Sequence, residues 1–350
     1  MTLWILDENL MTVDVISQYE SLAWEKKWFV AGGFQVVAAD KYESLTAGKR
    51  DPTKVRYVYR PDSDYIGRID NITYDDGKII ARGKFLEGLL AFRAETFRMT
   101  YSGPVEAVAR DIVNQNCIAN KPIPYLTLGV NKNAGESVNA TLFGRVILDY
   151  LLEMASVYGN SYNIKYDRTL HKLVFDVLWG IGRTQDQVVN EWCLFGQQWG
   201  NVISEQYETN TDYANFATVY GEGEDANRIY DTVDIRAPGE ELREISVDAR
   251  DLRQGDLSLA DYKATLRDRG LKKLGEQGKY ENILADVRVS SDMPYSLGDI
   301  VAYRHERTGV VFNLRITEEK ETYDGKSYVR KVTFGERQGG VMAAVKTMFV

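Results

Sequence analysis

The sequence is poor in the residues that carry out chemistry. Of 350 residues only 2 are His and 2 are Cys, and Pro is held to 7. Cys117 and Cys193 belong to no Cys-x-x-Cys pattern, so they read as free, buried thiols in a chain that needs no disulfides. His171, beside Leu173-Val174-Phe175, and His305, between Arg304 and Glu306, read as structural or solvated residues. No Gly-x-Ser-x-Gly elbow and no His-Glu-x-x-His pair occurs. Gly325-Lys326-Ser327 has the ending of a phosphate-binding loop, but Lys320 stands where that loop requires glycine. No apolar run approaches the ~20 residues of a membrane span. The first residues lack a basic stretch and meet an acid at Asp7, which is not the pattern of a secretory signal. A basic block is also missing: 43 Lys and Arg face 51 Asp and Glu, for a net charge of −8. That argues against binding nucleic acid by neutralising phosphates. No catalytic, cofactor-binding or metal-binding residue is assigned, and no cofactor is expected.

What is present is the material of a large soluble core. Hydrophobic residues make up 44% and charged residues 27%, and the length suggests two or three domains. Tyrosine dominates the aromatics, with 22 against 12 Phe and 6 Trp, which suits half-buried sheets and subunit interfaces. The first hundred residues alternate with the period of strands: Val13–Val15, Leu22–Trp28, Phe34–Val37 and Val55–Tyr59. Asp40–Ala47 is expected as a short helix capped by Asp40. Ile66–Tyr74, Asp75-Asp76-Gly77 and Lys78–Arg82 read as a hairpin, and Leu86–Arg93 as a short helix.

The middle of the chain is mixed. A helix is expected from Val105 to about Asn114 with Pro104 at its first position. An irregular stretch, 120–135, leads to a second helix from about Leu142 to Tyr158, stopped by Gly159-Asn160. Strands at Ser161–Asp167 and Lys172–Trp179 complete a small α/β insert. Further strands are expected at Phe216–Tyr220, Glu244–Val247, Ile283–Val289, Ile300–Tyr303, Val310–Thr317 and Tyr328–Phe334. One long helix, Leu259–Glu276, is capped by Ser258 with Asp261 three residues on.

Three features stay open on the residues alone. Tyr74-Asp75-Asp76-Gly77-Lys78 with Arg82 echoes Tyr323-Asp324-Gly325-Lys326 with Arg330, and Arg68-Ile69 echoes Arg315-Ile316. Either Asp-Gly hairpins simply look alike, or one β-barrel unit occurs twice. Gly221-Glu222-Gly223-Glu224-Asp225 is a glycine-bent loop or a carboxylate cation site. The paired acids Asp62 and Asp64 read as a turn, and Glu318-Glu319 with Glu321 as a charged run on an outward hairpin. After Gly339-Gly340 the apolar ending places Val341, Val345 and Met348 on one helical face beside Phe349. It is either a partner-docking tail or a last element packed on its own domain.

The chain resembles the hub, or tail-associated, proteins of long-tailed bacteriophages and prophages. The resemblance rests on Leu3–Asp7 with Trp24 and Gly32-Gly33-Phe34, and on Ile66–Asp70 leading to Ala81–Arg93. It rests further on Asn215–Gly223 with Arg228, and on Asp248, Tyr262, Leu266, Ser296–Val301 and Phe334-Gly335. These are structural signatures, and the family offers no active-site residue to carry over. The resemblance implies a β-rich α+β fold of two tube-like β-barrel domains with an inserted α/β domain. The expected division is 1–98, 99–200, 201–338 with its helix at 258–277, and the tail 339–350.

A homotrimer is implied, its barrels forming a pseudo-sixfold ring between tail tube and tip through which DNA passes without specific binding. The implied partners are a distal tail or tail-tube protein above and a tip, spike or fibre protein below. The implied location is the virion tail, assembled in the bacterial cytoplasm. Many family members continue into a peptidase, lysozyme or fibre region. This chain ends at Val350, so the expectation is a structural protein, not an enzyme, extended by a separate partner. The alternatives are a carbohydrate- or receptor-binding tail module, with Trp24, Trp28, Trp179, Trp192 and Trp199 as stacking platforms, and a cell-wall hydrolase.

Overall fold

The structure is a computed structural model, and it describes residues 1–46, 54–278, 281–288 and 293–335. The described residues divide into two compact units, Met1–Gln206 with Leu284–Phe334, and Tyr207–Ile283.

The first unit begins with eight strands: β1 (Leu3–Leu6), β2 (Thr12–Ile16), β3 (Ser21–Lys27), β4 (Gly33–Ala39), β5 (Tyr57–Tyr59), β6 (Ile66–Arg68), β7 (Asn71–Asp75) and β8 (Lys78–Lys84). The expected 66–74 strand is cut at Ile69-Asp70, so β6 and β7 fall in different sheets. One is four-stranded, in the order β2-β1-β5-β6. It shares a core with β3, β4 and β8, where Leu3, Ile5, Ile16 and Val58 pack against Trp24, Phe34, Val36, Ile79 and Ala81. Period-two alternation explains this core: Leu22 and Trp24 face inward, and Ala23 and Glu25 lie on the other side. The expected 40–47 helix is a single 3₁₀ turn, Glu43–Thr46, and Leu86–Phe92 is also 3₁₀.

The middle elements are β9 (Met99–Pro104), α1 (Val105–Val113), β10 (Leu126–Leu128), β11 (Ser137–Leu142), α2 (Ile147–Tyr158), β12 (Asn160–Asp167) and β13 (Lys172–Trp179). Pro104 caps α1 instead of occupying its first position. The helix then widens into a π-type turn over Asn114–Ala119, where the Asn116 side chain donates to the Ile112 carbonyl. The second helix starts five residues later than expected. Leu142 is held in β11 by its pairing with Met99, a partner 43 positions away that local periodicity cannot reveal. It ends as expected, with Gly159 at φ 72. β10 pairs parallel with β13 inside the stretch read as irregular.

Then come β14 (Leu194–Phe195) and β15 (Val202–Thr209). The second unit follows, with β16 (Phe216–Tyr220), β17 (Tyr230–Asp234), β18 (Glu244–Asp248) and α3 (Leu259–Glu276). Its sheet runs β17-β16-β18 and shares a core with α3 built on Ala217, Val219, Val233, Val247, Tyr262, Leu266 and Leu274. Ser258 caps α3, its Oγ accepting from the Asp261 N–H at 3.1 Å.

The chain finishes with β19 (Glu281–Val287), β20 (Ile300–Arg304), β21 (Val311–Tyr323) and β22 (Tyr328–Phe334). These belong to the principal sheet, whose path is β15-β19-β22-β21-β3-β4-β8-β7. The path is two blocks of four. In each block the strands lie in the chain order first, second, fourth, third: β15-β19-β22-β21, then β3-β4-β8-β7. The blocks meet where β21 pairs antiparallel with β3. Among the described residues the path does not close on itself; it ends at β15 and β7.

The blocks share connectivity, but the residue-level echo fails. Arg82 pairs across from Gln35 and Asn71 and is exposed, while Arg330 pairs with Glu321 in a half-buried position. Arg68 lies in β6 of the four-stranded sheet and Arg315 in β21 of the principal sheet. The turns differ too. Asp75 pairs with Lys78 around two residues, and Tyr323 pairs with Tyr328 around four.

Candidate assembly seam and buried charge cluster

The seam between the blocks is written in charge. Three successive cross-strand pairs of β21 and β3 oppose unlike signs: Glu318 with Lys27, Glu319 with Lys26, and Lys320 with Glu25. Strand alternation splits the acidic run between two faces, which corrects the expectation of an outward charged hairpin. Glu319 and Glu321, each 6% exposed, lie on the Trp24 side. Glu318 and Lys320 lie on the opposite, half-exposed side.

Burying two carboxylates demands cations, and three elements supply them. Arg60, following β5 and 3% exposed, pairs with Glu321 and reaches Asp62 at 2.8 Å. Lys26 meets Glu319 at 2.8 Å. Arg330 lies 3.3 Å from Glu319 and 3.6 Å from Glu321 and donates to the Tyr295 hydroxyl at 3.3 Å. The Arg60 guanidinium also sits 5.2 Å from the centre of the Trp24 ring. Burial works against the Arg60 charge, but the hydrogen bonds to Asp62 and Glu321 outweigh it, so its pKa is held above the usual value. The turn expected at Asp62 is present, and its acid serves this arginine.

On the other face Glu318 and Glu25 come close enough to share a hydrogen bond. Burial and that bond push Glu318 up to about 7, against the pull of Lys27 and Lys320. Glu25 is held below the usual carboxylate range, because the same bond and the two lysines outweigh its burial.

A second anchor ties the α/β layer to the principal sheet. The Trp28 indole donates to the Gly159 carbonyl at 3.2 Å, and the Ser161 hydroxyl donates to the Trp28 carbonyl. Arg315 lies 5.7 Å from the centre of the Trp28 ring and donates to the Gly298 carbonyl at 2.8 Å. Gly298 has φ 93, and a Cβ there would fall 2.1 Å from the Trp28 ring.

The residues singled out from the sequence are dispersed. Cys117 and Cys193 are free and buried, and burial pushes both thiols up to about 12. His171 meets the Tyr166 hydroxyl at 3.1 Å, and buried His305 meets Thr308 Oγ1 at 3.0 Å. The Glu222 carboxylate accepts from the Gln254 N–H and from Arg253. Among the described residues no group of three or more His, Cys, Asp or Glu is placed to hold a metal ion. Among the described residues no helix is long and apolar enough to cross a membrane. Trp24 and Trp28 are buried at 0% and 1%, while Trp192 and Trp199 are 52% and 45% exposed, so the tryptophans do not line one groove. Val341, Val345, Met348 and Phe349 lie outside the described residues.

The family model described as Siphovirus ReqiPepy6 Gp37-like protein matches residues 2–336. The chain belongs to this family. Solved tail proteins, two of them from prophages, share its fold along nearly the whole length. The tail protein from Neisseria meningitidis MC58 is 13% identical, with 97% of each chain covered and a TM-score of 0.60. The 43 kDa tail protein of prophage MuSo2 from Shewanella oneidensis is 10% identical, covering 97% of this chain and 100% of that one, at 0.61. The prophage tail protein gp18 from Listeria monocytogenes EGD-e is 12% identical, covering 99% and 98%, at 0.58. A search of curated proteins returns no match. At these identities the likeness is one of fold, and with the family it places this β-rich Gp37-like protein among phage and prophage tail proteins.

Proposed function

We propose that the chain is a structural hub subunit that trimerises into a ring joining the tail tube to the tip and leaving a bore for DNA. The observation that carries this reading is the seam. Inside one chain, the last strand of one block (β21) pairs antiparallel with the first strand of the next (β3). The two free ends are the corresponding strands: β7 is last in its block and β15 is first in the other. Both are exposed along most of their length. Pairing β7 of one copy with β15 of the next repeats the internal junction, and three copies of the eight-strand path close a ring of 24 strands. Closure also removes two open strand edges that otherwise invite uncontrolled pairing.

In this reading the two blocks are the tube-like domains of 1–98 and 201–338, and 99–200 is the α/β insert. The face opposite Trp24 lines the bore. It mixes Glu25, Lys27, Glu318 and Lys320, and Arg82 donates to Gln35 there at 2.6 Å. A surface of balanced sign lets a polyanion pass without holding it. The partners are a tail-tube or distal tail protein on one face and a tip, spike or fibre protein on the other, in a virion tail assembled in the bacterial cytoplasm. The role requires no catalysis.

The test is the mass in solution, with proline placed at Ile72 and, separately, at Thr73. Successive strand residues point their N–H groups to opposite edges, so one of the two variants removes an outward donor of β7. The wild-type protein is expected as a trimer of the 39.8 kDa chain. The outward variant is expected as a folded monomer. A wild-type monomer at high concentration refutes the ring.

A further inference from the structure

The α/β region of the first unit carries a patch of exposed aromatic rings among cations. Phe92, Phe97 and Phe143 protrude with 62%, 69% and 68% of their surface exposed. They share one neighbourhood. Ala94 bridges Val146, the Glu95 N–H donates to the Arg145 carbonyl at 2.9 Å, and the Gly144 N–H donates to the Glu95 carbonyl at 2.8 Å. Buried Glu95 pins this loop from beneath. Its carboxylate accepts from the Phe97 N–H at 3.1 Å and from the Tyr101 hydroxyl and Asn116 amide at 2.9 Å each. Phe97 is therefore presented in a set position.

Cations surround the rings. Arg93 donates to the carbonyls of Lys121, Phe92 and Pro122 at 2.7, 3.0 and 3.2 Å. Lys121 donates to the Ala94 carbonyl at 2.8 Å and to Thr96 Oγ1 at 2.6 Å. Arg98 follows Phe97 and is exposed. These contacts are to neutral oxygens, and among the described residues neither Arg93 nor Lys121 forms an ion pair, so their charge is oriented and available. Arg68 and Arg145 beside them are paired, with Asp70 and Glu153.

Protruding rings ringed by uncancelled cations suit one kind of partner. A protein groove would receive the rings in pockets, but a bilayer interface takes separate apolar wedges and places phosphates around them. We propose that Phe92, Phe97 and Phe143, with Arg93, Arg98 and Lys121, dock this protein on an anionic phospholipid surface. The proposal is independent of the ring, because the patch lies within one chain.

The test is co-sedimentation of the full chain with phosphatidylcholine vesicles containing phosphatidylglycerol, against phosphatidylcholine alone. Binding is expected only with the anionic lipid and is expected to weaken as salt rises. Phe97→Ser with Phe143→Ser, and separately Arg98→Gln with Lys121→Gln, should each weaken it about tenfold or more. Circular dichroism should show an unchanged fold. No binding by the wild-type protein, or equal binding by the variants, overturns the proposal. So does a patch variant that lowers the mass of the particle in solution, since that outcome makes the surface a protein contact.

Discussion

Replacing Arg60 with alanine tests the buried charge cluster directly. Arg60 is the most buried cation in the cluster, and its guanidinium is shared by Glu321 and Asp62 over the Trp24 ring. Its loss leaves Glu321 at 6% exposure with Arg330, 3.6 Å away, as its one remaining cationic partner among the described residues. Removing one partner of a buried pair costs about 3–5 kcal/mol, chiefly because a charge is left uncompensated in a low dielectric. That is a large share of the ~5–15 kcal/mol by which domains are stable. Asp62 is 58% exposed and returns to water at little cost, so the penalty falls on Glu321. Urea denaturation of the first unit's signal should therefore show a midpoint shift at unchanged slope. Arg60→Met with Glu321→Met removes both charges and should recover most of the loss. A single variant that loses under ~1 kcal/mol, or a double variant less stable than the single, would show that the cluster is held by something other than charge compensation.

Two further outcomes follow from buried groups. Glu87 is 4% exposed, and burial pushes its carboxyl up to about 8, partly offset by the backbone N–H groups of Glu87 and Gly32. A raised folded pKa means the associated stability is full below the unfolded value near 4.5 and is lost as pH rises toward 8. At pH 7 the loss is about 3 kcal/mol. Glu87→Gln should flatten the stability profile in that window, and identical profiles for both proteins would place the titration elsewhere. Gly298→Ala combines a positive φ with a clash against the Trp28 ring and should cost about 2–4 kcal/mol. Tryptophan fluorescence should report the displaced ring, and an unshifted melting temperature would contradict that geometry.

Several elements were legible because their causes are local. Alternation marks β3 and β4, Asp-Gly marks both hairpins, and Ser258 and Gly159 mark helix ends within a residue. β10, only three residues long, left no readable period. The look-alike turns carry no recurrence; what repeats is the strand order of the two blocks. Arg82 and Arg330, which suggested a recurrence, occupy different environments. The candidate site was read only in part. Glu318, Glu319 and Glu321 were visible as an acidic run, while Arg60 gave no signal at all, since its partner is 261 positions away.

The sequence by itself marked many of the strands and the three α-helices, most helix ends, the scarcity of catalytic groups and the likeness to phage tail proteins. Each depends on neighbours a few residues apart. Only the tertiary structure decided that β21 runs beside β3 and that one acidic run divides into buried and outward halves. Which face of a strand meets the core depends on what distant strand lies alongside, and no local period encodes that.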